Sequence, residues 1–206
     1  AKQIKEVLLP DNSIVILNGN SSIAYSNHFN ESPVREVFLK GNANFKIQKK
    51  EDLKPFVVHA NQININVTGT EFNVDARTQA TDVVLTSGSV NVTLAKDSMH
   101  KTHLNPGEKL MLDTIKQQLI TEKTDTQLYT AAWKEGEWHF EETTLETVAS
   151  LIEQFYGMEV VFESRKSKKL QITAVVSVKD FSTLVHVIEK TLNIQTRETP
   201  NQLFIN

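Results

Sequence analysis

The chain has 206 residues, of which 39% are hydrophobic and 23% are charged, and it contains no cysteine. This length allows one large domain or two smaller ones, and the composition is that of a globular protein rather than a disordered one. The formal charge of −3 argues against a nucleic-acid-binding protein. The absence of cysteine excludes disulfides, thiolate nucleophiles and cysteine-based zinc sites.

The hydrophobic period is two from about residue 4 to residue 122, which predicts half-buried β-strands. The apolar residues that alternate with mostly polar neighbours are Ile14/Ile16, Val37/Leu39, Phe45/Ile47, Phe56/Val58, Ile63/Ile65/Val67, Phe72/Val74, Val83/Leu85, Val90/Val92/Leu94 and Leu110/Leu112. Turn sequences separate these runs. Short strands at a spacing of ~8–12 residues predict an all-β domain over residues 1–122, in the form of a sandwich, a roll or a solenoid.

A polar segment over residues 123–135 is predicted to link this domain to a second one, residues 136–206. After it the hydrophobic period changes to 3.6, which predicts two helices. The apolar faces of the two helices are Leu145, Val148, Ala149, Ile152 and Phe155 in the first and Phe181, Leu184, Val185, Ile188 and Leu192 in the second. Thr143 with Glu146 forms a predicted capping box for the first helix, which ends at Gly157. Asp180 and Asn193 are the corresponding caps of the second helix.

The second domain repeats itself without gaps at an offset of 36 residues, which places Leu145 on Phe181 and Glu153 on Glu189. Strand-like segments flank each helix, at 138–140 and 159–162 in the first half and at 170–176 and 194–197 in the second. An internal repeat of this kind predicts two βαβ units packed on one small sheet, closed by a last strand, Leu203–Ile205.

The all-β region carries a fixed series of short motifs that resembles the periplasmic part of FecR-type anti-sigma regulators. The motifs are Leu9-Pro10-Asp11-Asn12-Ser13, Leu17-Asn18, Lys40-Gly41-Asn42-Ala43-Asn44-Phe45, Pro55-Phe56-Val57-Val58, Val67-Thr68-Gly69-Thr70-Glu71-Phe72-Asn73-Val74, Ser87-Gly88-Ser89-Val90 and Leu104-Asn105-Pro106-Gly107-Glu108. The second domain is similar to the short secretin/TonB N-terminal module that ends such regulators in Bacteroidetes. The segments that carry this second likeness are Ala132-Trp133-Lys134, Gly136, Phe140 and Phe155-Tyr156-Gly157.

The resemblance implies a regulatory protein rather than an enzyme, with neither cofactor nor metal. In this family the periplasmic part binds the signalling domain of a TonB-dependent outer-membrane transporter. An extracytoplasmic-function sigma factor is then controlled through a cytoplasmic segment. The chain itself has no apolar run near the ~20 residues needed to span a bilayer and no signal peptide. The resemblance therefore implies a periplasmic fragment that begins just past the single membrane helix of an inner-membrane protein.

Candidate chemical groups in the sequence have simpler explanations. His100 and His103, with Asp97 nearby, are too few ligands for a tight metal site, and we assign them to a solvated loop. Ser87 and Ser89 flank a turn glycine rather than forming a nucleophile elbow. Glu141 and Glu142 precede a helix, where negative charge is favourable.

Three further features are also assigned to structure. The basic run over 165–169 is interpreted as a solvated connection, with an acidic partner surface as its alternative. The Asn-x-Ser/Thr sequons at Asn20, Asn30, Asn66 and Asn91 are interpreted as chance matches. Trp133 and Trp138 are expected to pack the second domain on the first.

Partner binding is predicted on the last strands of the second domain, because an open sheet edge can accept a strand or a helix from another protein. The residues assigned to this surface are Ile194, Thr196, Leu203, Phe204 and Ile205. Two other classes of function compete with signal relay. A glycan-binding or adhesive β-domain would need aromatic platforms, and a hydrolase would need a convergent set of acids, bases or nucleophiles that the sequence lacks.

Overall fold

The computed structural model describes residues 4–126, 128, 132–133 and 135–206, and it divides into two compact units, Ala1–Thr126 and Gln127–Asn206. The predicted linker over 123–135 contains helical residues, namely Thr126, Leu128, Ala132 and Trp133. Among the described residues, no helix has the length and hydrophobicity needed to cross a bilayer.

The first unit consists of β-strands, as the period of two predicts. Its strands are β1 (Lys5–Leu8), β2 (Ile14–Leu17), β3 (Ser22–Tyr25), β4 (Arg35–Lys46), β5 (Phe56–Ala60), β6 (Ile63–Val67), β7 (Glu71–Ala76), β8 (Asp82–Ser87), β9 (Val90–Leu94), β10 (Asp97–Leu104), β11 (Glu108–Asp113) and β12 (Gln118–Lys123). They form one hydrogen-bonded sheet in the order β10-β9-β6-β5-β4-β7-β8-β11-β12, to which β1, β2 and β3 are joined through β4.

Strand β4 is the longest element of the first unit, with 12 residues, and it contributes to both halves of the sheet. Its first part pairs with β3 and, in parallel, with β5, whereas its second part pairs with β2 and β7. Gly41 lies between these parts with φ of +99°, and a Cβ atom there would lie 2.4 Å from Ser21 Oγ. Glycine is therefore required where the strand changes partners.

Buried side chains from both halves of the sheet belong to one hydrophobic core, so the sheet is rolled over itself. Phe45 and Phe72 face each other across β4 and β7 and stack with ring centroids 5.1 Å apart. Of the three forms that the sequence left open, this arrangement corresponds to the roll. In β2 the assigned face is wrong, because Val15 and Leu17 are buried and Ile14 and Ile16 are only partly buried. All four residues of β2 are apolar, so alternation could not identify the inner face.

An ion pair is buried within the first unit. Arg35 Nη1 donates to Asp11 Oδ2 at 2.6 Å, and both side chains are at most 1% exposed. The Arg35 guanidinium also donates to the carbonyls of Gln48 at 3.0 Å and Lys54 at 2.6 Å. Asp11 accepts hydrogen bonds from the backbone and hydroxyl of Ser13. The pair therefore joins the turn after β1 to the loops around β4 and β5.

Over residues 135–206, the second unit contains two α-helices, one short 3-10 helix and five strands. They are β13 (Glu137–Thr144), α1 (Leu145–Tyr156), β14 (Glu159–Phe162), a short 3-10 helix (Ser167–Lys169), β15 (Gln171–Ser177), α2 (Phe181–Leu192), β16 (Thr196–Glu198) and β17 (Gln202–Ile205). The predicted single sheet is wrong: β13 and β15 form a two-stranded antiparallel sheet, and β14, β17 and β16 form a second sheet. The first strands of the two repeats pair with each other, which separates them from the strands that follow the helices.

The helix ends agree with the sequence prediction in three of four cases. Asp180 accepts a hydrogen bond from the Thr183 amide, and Gly157 and Asn193 adopt the left-handed conformation after α1 and α2. The N-cap of α1 is Thr144 rather than Thr143. Thr143 instead bonds to the backbone of Glu141, so it is not available to cap the helix.

Aromatic side chains form the interior of the second unit. Trp138 is fully buried and lies against Phe155 and Tyr156, with ring centroids 5.3 and 5.8 Å away. Trp133 packs on Phe155 at 5.2 Å. The described ring contacts of both tryptophans lie inside the second unit, and their packing against the first domain stays a prediction.

Candidate partner-binding surface

Groups that could perform chemistry are dispersed in the structure. His100 and His103 lie in β10 rather than in a loop: His100 bonds to Asp97 at 2.6 Å, and His103 bonds to Asn91 at 3.1 Å. Among the described residues, no group of three or more His, Asp or Glu side chains is placed to hold a metal ion. Ser87 is the last residue of β8, and Ser89 lies in the turn between β8 and β9.

Glu141 and Glu142 are strand residues, not the first residues of a helix. They form a bulge in β13, where the register with β15 shifts between Phe140 and Thr143. Glu142 has a φ of +46°, and its amide donates to Thr173 Oγ1 at 3.0 Å. The two carboxylates are exposed. Their position is set by the bulge in β13 and not by an interaction with the dipole of α1.

Four of the predicted partner-binding residues lie in the three-stranded sheet and Ile194 precedes β16, but β17 is the central strand of this sheet and not an edge. It pairs in parallel with β14 on one side and antiparallel with β16 on the other. Leu203 and Ile205 are fully buried, whereas Ile194, Thr196 and Phe204 are partly exposed. Strand addition to β17 is therefore impossible, because its backbone groups are already paired on both sides.

Both outer edges of this sheet carry an amide capped by a glutamate. Glu153 of α1 accepts from the Val160 amide at 2.9 Å, and Glu189 of α2 accepts from the Thr196 amide at 3.1 Å. Neighbouring amides, such as those of Glu159 and Glu163, point inward to β17. Glu189 also accepts from the Thr196 hydroxyl, and these two bonds from Thr196 lower the pKa of its carboxyl. The internal repeat thus places equivalent glutamates at equivalent edges, a signal already visible in the sequence as the alignment of Glu153 with Glu189.

The outer face of the three-stranded sheet carries a row of three side chains, Val161, Phe204 and Arg197, which pair across the strands. The Arg197 guanidinium carbon lies 3.8 Å from the centre of the Phe204 ring. Val161 and Phe204 are partly exposed, and the Arg197 side chain is 62% exposed. Phenylalanine and arginine are both enriched in protein interfaces, and arginine is among the residues that contribute most to binding energy.

Two family models match the chain. The model described as FecR protein matches residues 1–91, and the model described as FecR, C-terminal, matches residues 137–205. No curated protein matches the chain.

Two crystal structures of a candidate anti-sigma factor from Parabacteroides distasonis are similar to this fold. The first has a TM-score of 0.71 at 26% sequence identity and covers 99% of this chain and 94% of its own. The second has a TM-score of 0.70 at 26% identity and covers 98% of this chain and 93% of its own. The likeness therefore includes both units.

Proposed function

Because the chain belongs to the FecR family, whose members are membrane-anchored anti-sigma factors, we propose that it relays a signal by protein contact in the periplasm. The partner in this proposal is the signalling domain of a TonB-dependent outer-membrane transporter. Its binding would be passed on to an extracytoplasmic-function sigma factor. This role requires a partner surface and no catalytic group.

The observation that supports this proposal is the row Val161–Phe204–Arg197 on the outer face of the three-stranded sheet. The sheet edges are capped by Glu153 and Glu189, so the face, rather than an edge, is available for contact. The docking surface we propose consists of this row together with the partly exposed Ile194 and Thr196. Leu203 and Ile205 support it from the core, where they are fully buried.

Calorimetric titration of this chain with the purified signalling domain of the transporter encoded beside it tests the proposal. We expect one-to-one binding that Phe204→Ala and Arg197→Ala each weaken by about 1–2 kcal/mol, since an aromatic ring and an arginine at the centre of an interface are the usual hot spots. The matched control is Phe38→Ala, which removes another exposed phenylalanine, 55% exposed, from the first unit. Equal affinity of the wild type and all three variants would contradict this surface.

One observation favours the alternative of glycan binding. Phe38 is stacked on His59 with ring centroids 4.6 Å apart, and together they present an aromatic surface on the first unit. Flat aromatic surfaces of this kind can stack on sugar rings. If the transporter domain does not bind and Phe38→Ala abolishes binding of an oligosaccharide, the glycan-binding function replaces the relay.

A further inference from the structure

The two-stranded sheet of β13 and β15 differs from the three-stranded sheet in its edges. Each of its strands has a hydrogen-bonded neighbour on one side only, and the strands have 8 and 7 residues. Exposed sheet edges are usually short, covered or capped, because unpaired strands add to other chains. Each edge of the three-stranded sheet has one amide capped by a glutamate, whereas β13 is interrupted only by its bulge after Phe140.

The register determines which groups of β13 point outward. The Val178 amide donates to the Gly136 carbonyl at 2.9 Å, and Trp138 and Phe140 continue this ladder opposite Val176 and Ala174. In an antiparallel pair the intervening residues direct their amides and carbonyls away from the partner strand. These residues are Glu137 and His139, and no described residue bonds to their backbone groups.

The open edge of β13 is acidic. Glu135, Glu137 and Glu141 are exposed along it, and the His139 ring lies among them, with its Nε2 3.3 Å from Glu135 and 3.7 Å from Glu137. The Lys179 side chain lies beside Gly136. A second copy of β13 would bring like charges together across the new strand pair, which is unfavourable. An added strand with lysine or arginine would instead be attracted to this edge.

We propose that β13 accepts an extended, basic segment of a partner protein as a third strand of this sheet. The backbone groups of Glu137 and His139 supply the hydrogen bonds. Side chains on one strand face repeat every second residue, so Glu137 and Glu141 face basic residues that are four positions apart in the segment. This surface lies on a different sheet from the row Val161–Phe204–Arg197, so the inference stands independently of the transporter partner.

Two synthetic peptides test the inference with the full 206-residue chain. Both consist of threonines around a central valine, and they differ only in two flanking residues four positions apart, lysine in one peptide and glutamate in the other. Titration is followed by the amide resonances in nitrogen-15 NMR spectra. We expect saturable binding of the lysine peptide, with shifts centred on β13, and no binding of the glutamate peptide.

Variants of the outward edges of β13 and β15 distinguish binding through backbone hydrogen bonds from binding through charge attraction alone. His139→Pro removes an outward amide of β13 without removing a ladder bond, and we expect it to abolish binding. Val175→Pro makes the same change on the outward side of β15, and we expect it to leave the affinity unchanged. Glu137→Gln combined with Glu141→Gln should weaken binding about tenfold.

Three results would overturn the inference: equal binding of both peptides, shifts centred outside β13, or wild-type affinity of His139→Pro. If the NMR spectrum shows that His139→Pro is unfolded, the variant Glu137→Gln combined with Glu141→Gln becomes the test of the inference. If that variant binds the lysine peptide with wild-type affinity, the inference is overturned. The expected tenfold loss of affinity would support the inference.

Discussion

Arg35 and Asp11 place two opposite charges in the interior of the first unit, where neither is more than 1% exposed. A buried pair contributes little compared with an apolar replacement of both residues, but removing one partner leaves the other charge without compensation. Four of the described contacts of Arg35 are to Asp11 and to three backbone carbonyls, those of Gln48 and Lys54 in the loop between β4 and β5 and that of Thr68 between β6 and β7. Arg35 therefore compensates the charge of Asp11 and also holds the loops in position.

We predict that Arg35→Leu lowers the free energy of unfolding by about 3–5 kcal/mol, because Asp11 remains buried and unpaired. Urea denaturation of the first unit measures this loss. Arg77→Leu is the matched control, since its ion pair with Asp75 is partly exposed and such a pair contributes at most about 1 kcal/mol. If the two variants lose similar amounts of unfolding free energy, the large loss expected for an unpaired buried charge is contradicted.

Asp180 provides a pH-dependent contribution at the start of α2. Side-chain hydrogen bonds from Thr183 and Ser182 lower its pKa to about 2. Because the pKa of Asp180 is lower in the folded protein, its carboxylate stabilises the fold fully above the pKa of the unfolded chain, about 4. This stabilisation is lost as the pH falls towards about 2. We predict that the melting temperature of Asp180→Asn falls less steeply than that of the wild type between these values, as measured by calorimetry at a series of pH values. Parallel slopes would exclude the Asp180 carboxylate as the cause.

At the scale of single elements, local signals were sufficient for most of the fold. The period change after residue 136 predicted α1 and α2, and Asp180, Gly157 and Asn193 were correctly identified as caps because a cap depends on residues within one turn. The error at Thr143 arose because two adjacent threonines can both cap a helix, and the bulge at Glu141–Glu142 decides between them. Such a bulge has no clear local sequence signal.

The pairing of strands in the second unit was beyond local reasoning. The sequence repeat predicted the strands themselves, and the mainly β plus α+β class is confirmed, but which strands pair depends on contacts between distant residues. Placing all strands on one sheet led to the assumption that Leu203–Ile205 is an edge. The row Val161–Phe204–Arg197 could not be predicted for the same reason, because its three members come from three strands.

The capped edges of the three-stranded sheet lead to a prediction about self-association. In Glu153→Ala combined with Glu189→Ala, the Val160 and Thr196 amides lose their acceptors and become available to other chains. We expect this variant to form dimers or larger species with rising concentration in sedimentation velocity. Glu153→Gln combined with Glu189→Gln keeps an acceptor oxygen and should stay as monomeric as the wild type. Equal behaviour of the two double variants would show that the caps do not protect the edges.

At the scale of the whole molecule, the two units have separate cores and different spectroscopic signals. Both tryptophans of the chain, Trp133 and Trp138, belong to the second unit. Tryptophan fluorescence therefore reports on the unfolding of this unit.

We predict that a fragment of residues 127–206 folds alone, because its helices and both sheets enclose their own apolar interior. Its fluorescence transition in urea should give the same free energy of unfolding as that of the full chain, within about 1 kcal/mol. The reference experiment is the same measurement on the full chain with Trp138→Phe, which removes the buried fluorophore. Loss of the cooperative transition in the isolated fragment would contradict an independent fold.

The shared strand β4 also has a consequence for the order in which the first unit is completed during synthesis. Its partners are β2 and β3 on the N-terminal side and β5 and β7 on the C-terminal side, the last of which ends at Ala76. While β5 and then β7 are still being synthesised, the backbone groups of β4 that pair with these two strands have no partner, although β2 and β3 are already complete. Long unpaired strands of this kind attract chaperones and other nascent chains. The emergence of residues 47–76 is therefore the interval in which this protein most needs protection.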